Sequence, residues 1–71
     1  MSKRNDNAVR HIEAQIEAYS GGTSPLVRVG YHMAATALIE LAQRQGDISD
    51  AEYLGFYRRL DQIAEQMKGA A

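Results

Sequence analysis

An all-α fold of three helices is what this sequence predicts, and three observations carry that prediction. Turn-forming residues gather at only two places, residues 20–25 (Ser-Gly-Gly-Thr-Ser-Pro) and 45–49 (Gln-Gly-Asp-Ile-Ser). Apolar residues recur at helical spacing in each of the three segments so delimited. The one β-branched cluster, Leu26, Val27, Arg28 and Val29, follows directly on Ser24 and Pro25, a pairing that starts a helix rather than a strand.

Residues 1–5 read as a flexible arm and residues about 6–19 as the first helix. Val9, Ile12, Ile16 and Tyr19 fall at steps of three, four and three, which places them on one narrow face. Asn5, Asp6 or Asn7 can cap its start, Arg10, Glu13 and Glu17 lie on the wet side, and Gly21 or Gly22 offers the left-handed residue that ends many helices.

The second helix is expected over residues about 25–45, with Ser24 as N-cap, Pro25 at the first helical position, and Arg44 and Gly46 marking the end. Such a helix is roughly 30 Å long. No Asp, Glu, Lys or Arg occurs from Val29 to Ile39. Arg28, His32, Thr36, Glu40 and Gln43 form one polar stripe, and nearly everything else on this helix is apolar or small. A helix with so narrow a polar side must be covered over most of its circumference.

The third helix, residues about 50–68, has the clearest start in the chain. Ser49 and Glu52 have the spacing of a capping box, and Ile48 and Tyr53 that of a hydrophobic staple. Tyr53, Phe56, Tyr57, Leu60, Ile63, Ala64 and Met67 make a heptad-like seam, opposite Arg58, Arg59, Asp61, Gln62, Glu65 and Lys68. Leu54 lies off that seam, and Gly55 costs about 1 kcal/mol relative to alanine inside a helix.

A short connection should fold helices 2 and 3 into an antiparallel αα-hairpin. Two neighbours cannot seal the wide apolar arc of helix 2, so Val27, Val29, Tyr31, Leu38, Ile39 and Leu41, with the off-seam Leu54, are the expected protein-interface residues. The simplest cover is a second copy, giving a homodimer and a helical bundle. The alternative is a compact monomer in which the alanines of helix 2 let both neighbours pack closely.

Composition narrows the function classes. Seventy-one residues make one domain, and zero cysteines remove disulfides and thiolate metal sites. Eight basic against nine acidic residues, a net charge of -1, give no bulk attraction to nucleic acid or anionic lipid. With no apolar stretch of signal-peptide or membrane-spanning length, a soluble cytoplasmic protein is expected.

Nothing in the chain spells a catalytic or metal motif. His11 and His32 sit on different helices outside any paired-histidine spacing, so neither a metal nor a cofactor is expected. Glu13 with Glu17, and Asp61 with Glu65, are one turn apart, but on faces expected to be wet and near Arg or Lys, where pKa values are not driven apart. Of the hydroxyls Ser2, Ser20, Thr23, Ser24, Thr36 and Ser49, two are already helix caps, and Gly21-Gly22 lacks the lysine of a phosphate loop. The chain is therefore not expected to be an enzyme.

Helix-turn-helix DNA recognition is disfavoured, because Asp47, Asp50 and Glu52 crowd the end of helix 3 that would meet phosphate. Lys3, Arg4, Arg10, Arg28, Arg58 and Arg59 remain as dispersed candidates for nucleic-acid contact. The leading expectation is a non-catalytic interaction module, acting as an inhibitor or adaptor by occupying a surface of another protein. Small cysteine-free helical proteins of this type are common among bacterial accessory and mobile-element proteins, including phage-encoded inhibitors such as anti-CRISPR proteins, which is an association and not a motif.

Overall fold

The computed structural model describes residues 3–70 and contains three helices: α1 (Lys3–Ser20), α2 (Pro25–Arg44) and α3 (Asp50–Ala70). Among the described residues there is no strand. The molecule measures 40 × 19 × 17 Å, a short rod set by the length of its helices.

Local chemistry fixes the ends of α2 and the start of α3. Ser24 is extended (φ -126, ψ 150), its hydroxyl accepts from the Val27 N–H at 3.2 Å, and Pro25 follows at the first helical turn. At the other end Gly46 takes a left-handed φ of 75°, so that its N–H reaches the Gln43 carbonyl at 3.0 Å and the Asp47 N–H reaches the Ala42 carbonyl at 2.8 Å. That pair of bonds is the Schellman arrangement, and only glycine adopts its central conformation without strain. Two residues on, the Glu52 N–H donates to Ser49 Oγ at 3.1 Å while Glu52 Oε1 accepts from the Ser49 N–H at 2.8 Å, a closed capping box.

Two expectations about α1 need correction. Lys3, Arg4 and Asn5 belong to the helix and not to a flexible arm, of which Met1 and Ser2 lie outside the described residues. Tertiary bonds order this first turn: Arg4 Nε meets Asp47 Oδ1 at 3.0 Å, and Asn5 Nδ2 donates to the Asp47 carbonyl at 2.8 Å and to Glu52 Oε1 at 3.1 Å. Asn5, Asp6 and Asn7 are therefore inside the helix rather than caps. Nor does a left-handed glycine end α1, since Gly46 alone among the described residues has positive φ. Gly22 serves by its smallness instead. Arg28 Nε donates to the Gly22 carbonyl at 2.8 Å, and a Cβ on Gly22 would lie 2.8 Å from Arg28 Cγ.

The core is one cluster. It joins Ile12, Ile16 and Tyr19 of α1, Ala35, Ile39 and Ala42 of α2, Ile48 of the connection, and Phe56 and Leu60 of α3. The closest packing is between α1 and α2, with α3 approaching both less closely. Side-chain size explains the order: Ala35 and Ala42 let the isoleucines of α1 come near the α2 backbone, whereas α3 meets its neighbours through Tyr53, Phe56 and Tyr57. Gly46→Ala should cost about 1–2 kcal/mol in urea unfolding, the strain of a Cβ in the left-handed region.

Candidate protein-interaction face

Helix α2 has its polar stripe turned towards its neighbours and most of its apolar surface turned away from them. Arg28, His32, Thr36, Glu40 and Gln43 are all half-buried. Four of them have identifiable internal contacts. Arg28 holds the Gly22 carbonyl, and the His32 ring meets that of Tyr19 edge to face, 5.2 Å between centroids. Thr36 Oγ1 donates to the Met33 carbonyl at 3.0 Å. Glu40 Oε2 accepts from two phenols of α3, Tyr53 at 2.6 Å and Tyr57 at 2.7 Å, whose rings themselves pack edge to face.

These bonds mark the titration of the groups that make them. The Tyr53 and then the Tyr57 hydroxyl hold the Glu40 carboxyl below its ordinary value, and Glu40 in turn raises Tyr53. Tyr57 is raised too, by burial first and by Glu40 second. Glu52 is held low chiefly by the Ser49 N–H of the capping box.

With the polar stripe and the Ala35, Ile39 and Ala42 side both turned inward, the remaining arc of α2 is bare. Leu26 is 83% exposed, Met33 65%, Val29 54%, Leu41 47%, Val27 46% and Tyr31 38%; on α3, Leu54 is 55% exposed. Gly30 and Ala37 are exposed between them. A Cβ on Gly30 would meet nothing within 4 Å, so this glycine costs the helix about 1 kcal/mol without easing any contact inside its own chain.

Of the interface residues expected from sequence, Val27, Val29, Tyr31, Leu41 and Leu54 are exposed. Ile39 is a correction: it is 0% exposed at the centre of the core, because it shares the inward side of the helix with Ala35 and Ala42. Leu38 is half-buried against the same cluster. Sequence reasoning missed Leu26 and Met33, the two most exposed apolar chains. Their signal was present, since residues 26, 30, 33 and 37 advance by four, three and four and trace one line along the helix.

Three of the six basic candidates are engaged within the chain, and Arg10 and Arg59 share one groove. Arg4 pairs with Asp47, Arg28 with the Gly22 carbonyl, and Arg59 NH1 with Glu13 Oε2 at 3.5 Å. Lys3 and Arg10 are exposed on α1, and Arg58 on α3. An open groove of about 690 Å³ between α1 and α3 is lined by Asn5, Asp6, Val9, Arg10, Glu13, Ala14, Glu17, Glu52 and Arg59. Four carboxylates against two guanidinium groups make it a poor seat for phosphate. His11 is exposed, His32 packs against Tyr19, and no group of three or more His, Asp or Glu among the described residues is placed to hold a metal. Glu13, Glu17, Asp61 and Glu65 are all exposed. Among the described residues no helix is long and apolar enough to cross a membrane. No family model, curated protein or solved structure matches this chain.

Two outcomes follow. Ile39→Ala should lower the stability of dilute protein by about 2–5 kcal/mol, as a core truncation does, and Leu41→Ala by less than about 0.5 kcal/mol, both read by urea unfolding. Folding favours the ionised forms of Glu40 and Glu52, so their contribution is complete above the ordinary value of 4.5 and is lost as pH falls through their lowered values. Folding favours the protonated forms of Tyr53 and Tyr57, whose contribution is complete below 10.0 and is lost as pH rises beyond it. Thermal unfolding across pH should show both limbs, with Glu40→Gln flattening part of each.

Proposed function

We propose that the protein is a non-catalytic interaction module, a helical scaffold that works as an inhibitor or adaptor by packing against other polypeptide chains. Its main contact surface is the outward face of α2. One observation carries this reading: Arg28, His32 and Glu40 of the polar stripe of α2 are engaged by other parts of the chain, while Leu26, Val29, Met33 and Leu41 face water. A continuous apolar face of this kind is stable in solution chiefly when another surface covers it, and an apolar helix face is complementary to protein rather than to nucleic acid. Leu54 on α3 is a second, smaller contact point.

The competing reading, a nucleic-acid regulator using Lys3, Arg4, Arg10, Arg28, Arg58 and Arg59, has less support. Arg4, Arg28 and Arg59 are engaged within the chain, and the charged groove carries more carboxylates than guanidinium groups.

Met33→Glu adds a charge to the outward face without touching the core. It should leave helicity by circular dichroism unchanged and weaken association with a polypeptide partner, self or foreign, by about tenfold or more, measured by sedimentation and by binding to purified partner. Association that ignores the new charge contradicts the proposal, as does retention on nucleic acid that falls steeply with salt.

A further inference from the structure

We infer that the chain covering the outward face of α2 is a second copy of this protein, with the two α2 helices crossed antiparallel about a two-fold axis near Met33 and Ala34. The inference rests on reading that face as a protein-binding surface and goes on to name its occupant. The remaining surface, Leu54 and the mixed charges of α1 and α3, is then left for a target.

Area is the first argument. The four large apolar chains of that face, Leu26, Val29, Met33 and Leu41, at their observed exposures, present on the order of 500 Å² per copy, so two copies bring about 1,000 Å², the lower limit of a specific interface. A face of this size needs no larger partner to be covered.

Shape is the second. Antiparallel alignment sets Leu26 against Leu41, Gly30 against Ala37 and Met33 against Ala34 of the partner helix. Bulk meets a small residue at the crossing, and leucines close both ends. Parallel alignment would set Met33 on Met33 and Gly30 on Gly30, leaving a clash beside a void. Gly30 also gains a use. Its own chain leaves its Cα side open, and a glycine there lets a second backbone approach closely.

Charge is the third. From Val29 to Ile39 there is no Asp, Glu, Lys or Arg, so the crossing region is electrostatically silent. Glu40 and Arg28, at its edges, are bonded within their own chain. The exposed ion near the face is Arg44 in the last turn. A parallel pair would bring two Arg44 side chains together, whereas the antiparallel pair places them at opposite ends and also opposes the helix dipoles.

The absence of cysteine makes the arrangement directly readable by disulfide trapping. Leu26→Cys and Leu41→Cys, both at exposed positions, are prepared with distinguishable masses, mixed, oxidised mildly and scored by mass spectrometry. The antiparallel dimer places residues 26 and 41 of different copies within bonding reach and two residues 26 about 22 Å apart. The mixed disulfide should exceed the like pairs by about tenfold. Like pairs in excess would overturn the antiparallel arrangement and leave the interaction face intact. A cross-linking yield at the level of random collision, with a monomer mass at every concentration, would overturn the second copy as occupant; if that monomer still binds a foreign protein in a Met33-dependent way, the interaction-module reading survives. Gly30→Leu supplies an independent check, expected to weaken self-association by about tenfold or more while the monomer keeps its helicity; unchanged dimerisation would count against the close crossing.

Discussion

The rotation of α2 about its own axis is the constraint from which the rest of this molecule follows. Ala35, Ile39 and Ala42 must point inward, because they are where the isoleucines of α1 find close contact. The polar stripe lies on the adjacent flank, within reach of Tyr19, Gly22, Tyr53 and Tyr57. Once both are turned in, the opposite arc has only solvent to face. Leu26, Met33 and Leu41 are exposed because the helix cannot turn them inward without exposing Ile39.

Energetics make that rotation the favoured one. Burying Ile39 alone is worth on the order of 1.5–3 kcal/mol. Glu40 adds a carboxylate that accepts two phenolic hydrogen bonds on a single oxygen, and bonds to an ionised acceptor are about twice as strong as neutral ones. A rotation that hid Leu26 and Met33 would give up both. The apolar excess is thus a consequence of how α2 is held and is compatible with a well-formed core of three helices.

Much of the fold was legible because its punctuation is local. Ser24 with Pro25, Gly46, and the Ser49–Glu52 box each act within a few residues, and each makes the bond its spacing implies. The end of α1 near Ser20 was legible in position but not in mechanism, and its start was not legible, because both are set from afar: Asp47 and Glu52 order Arg4 and Asn5, and Arg28 closes over Gly22. Two of the three acidic residues around the start of α3, Asp47 and Glu52, hold the first turn of α1.

The candidate face was legible in outline and misplaced in detail. Counting apolar residues around α2 shows that the helix is too greasy to be covered by two neighbours, but the count does not say which side goes inward. Ile39, expected on the face, is in the core, and Leu26 and Met33 are the most exposed apolar chains of the face. The polar stripe was misleading for the same reason, since polar side chains with partners across an interface face inward as readily as outward.

The most direct measurement is the accessibility of the Met33 methyl group to a soluble paramagnetic probe, followed by NMR as the protein is concentrated. Half-buried Met67 serves as an internal reference on the same chain. A Met33 signal that is strongly broadened in dilute solution and becomes protected on concentration, while Met67 changes little, is the predicted result. A Met33 methyl that stays fully open to the probe at every concentration would contradict the account.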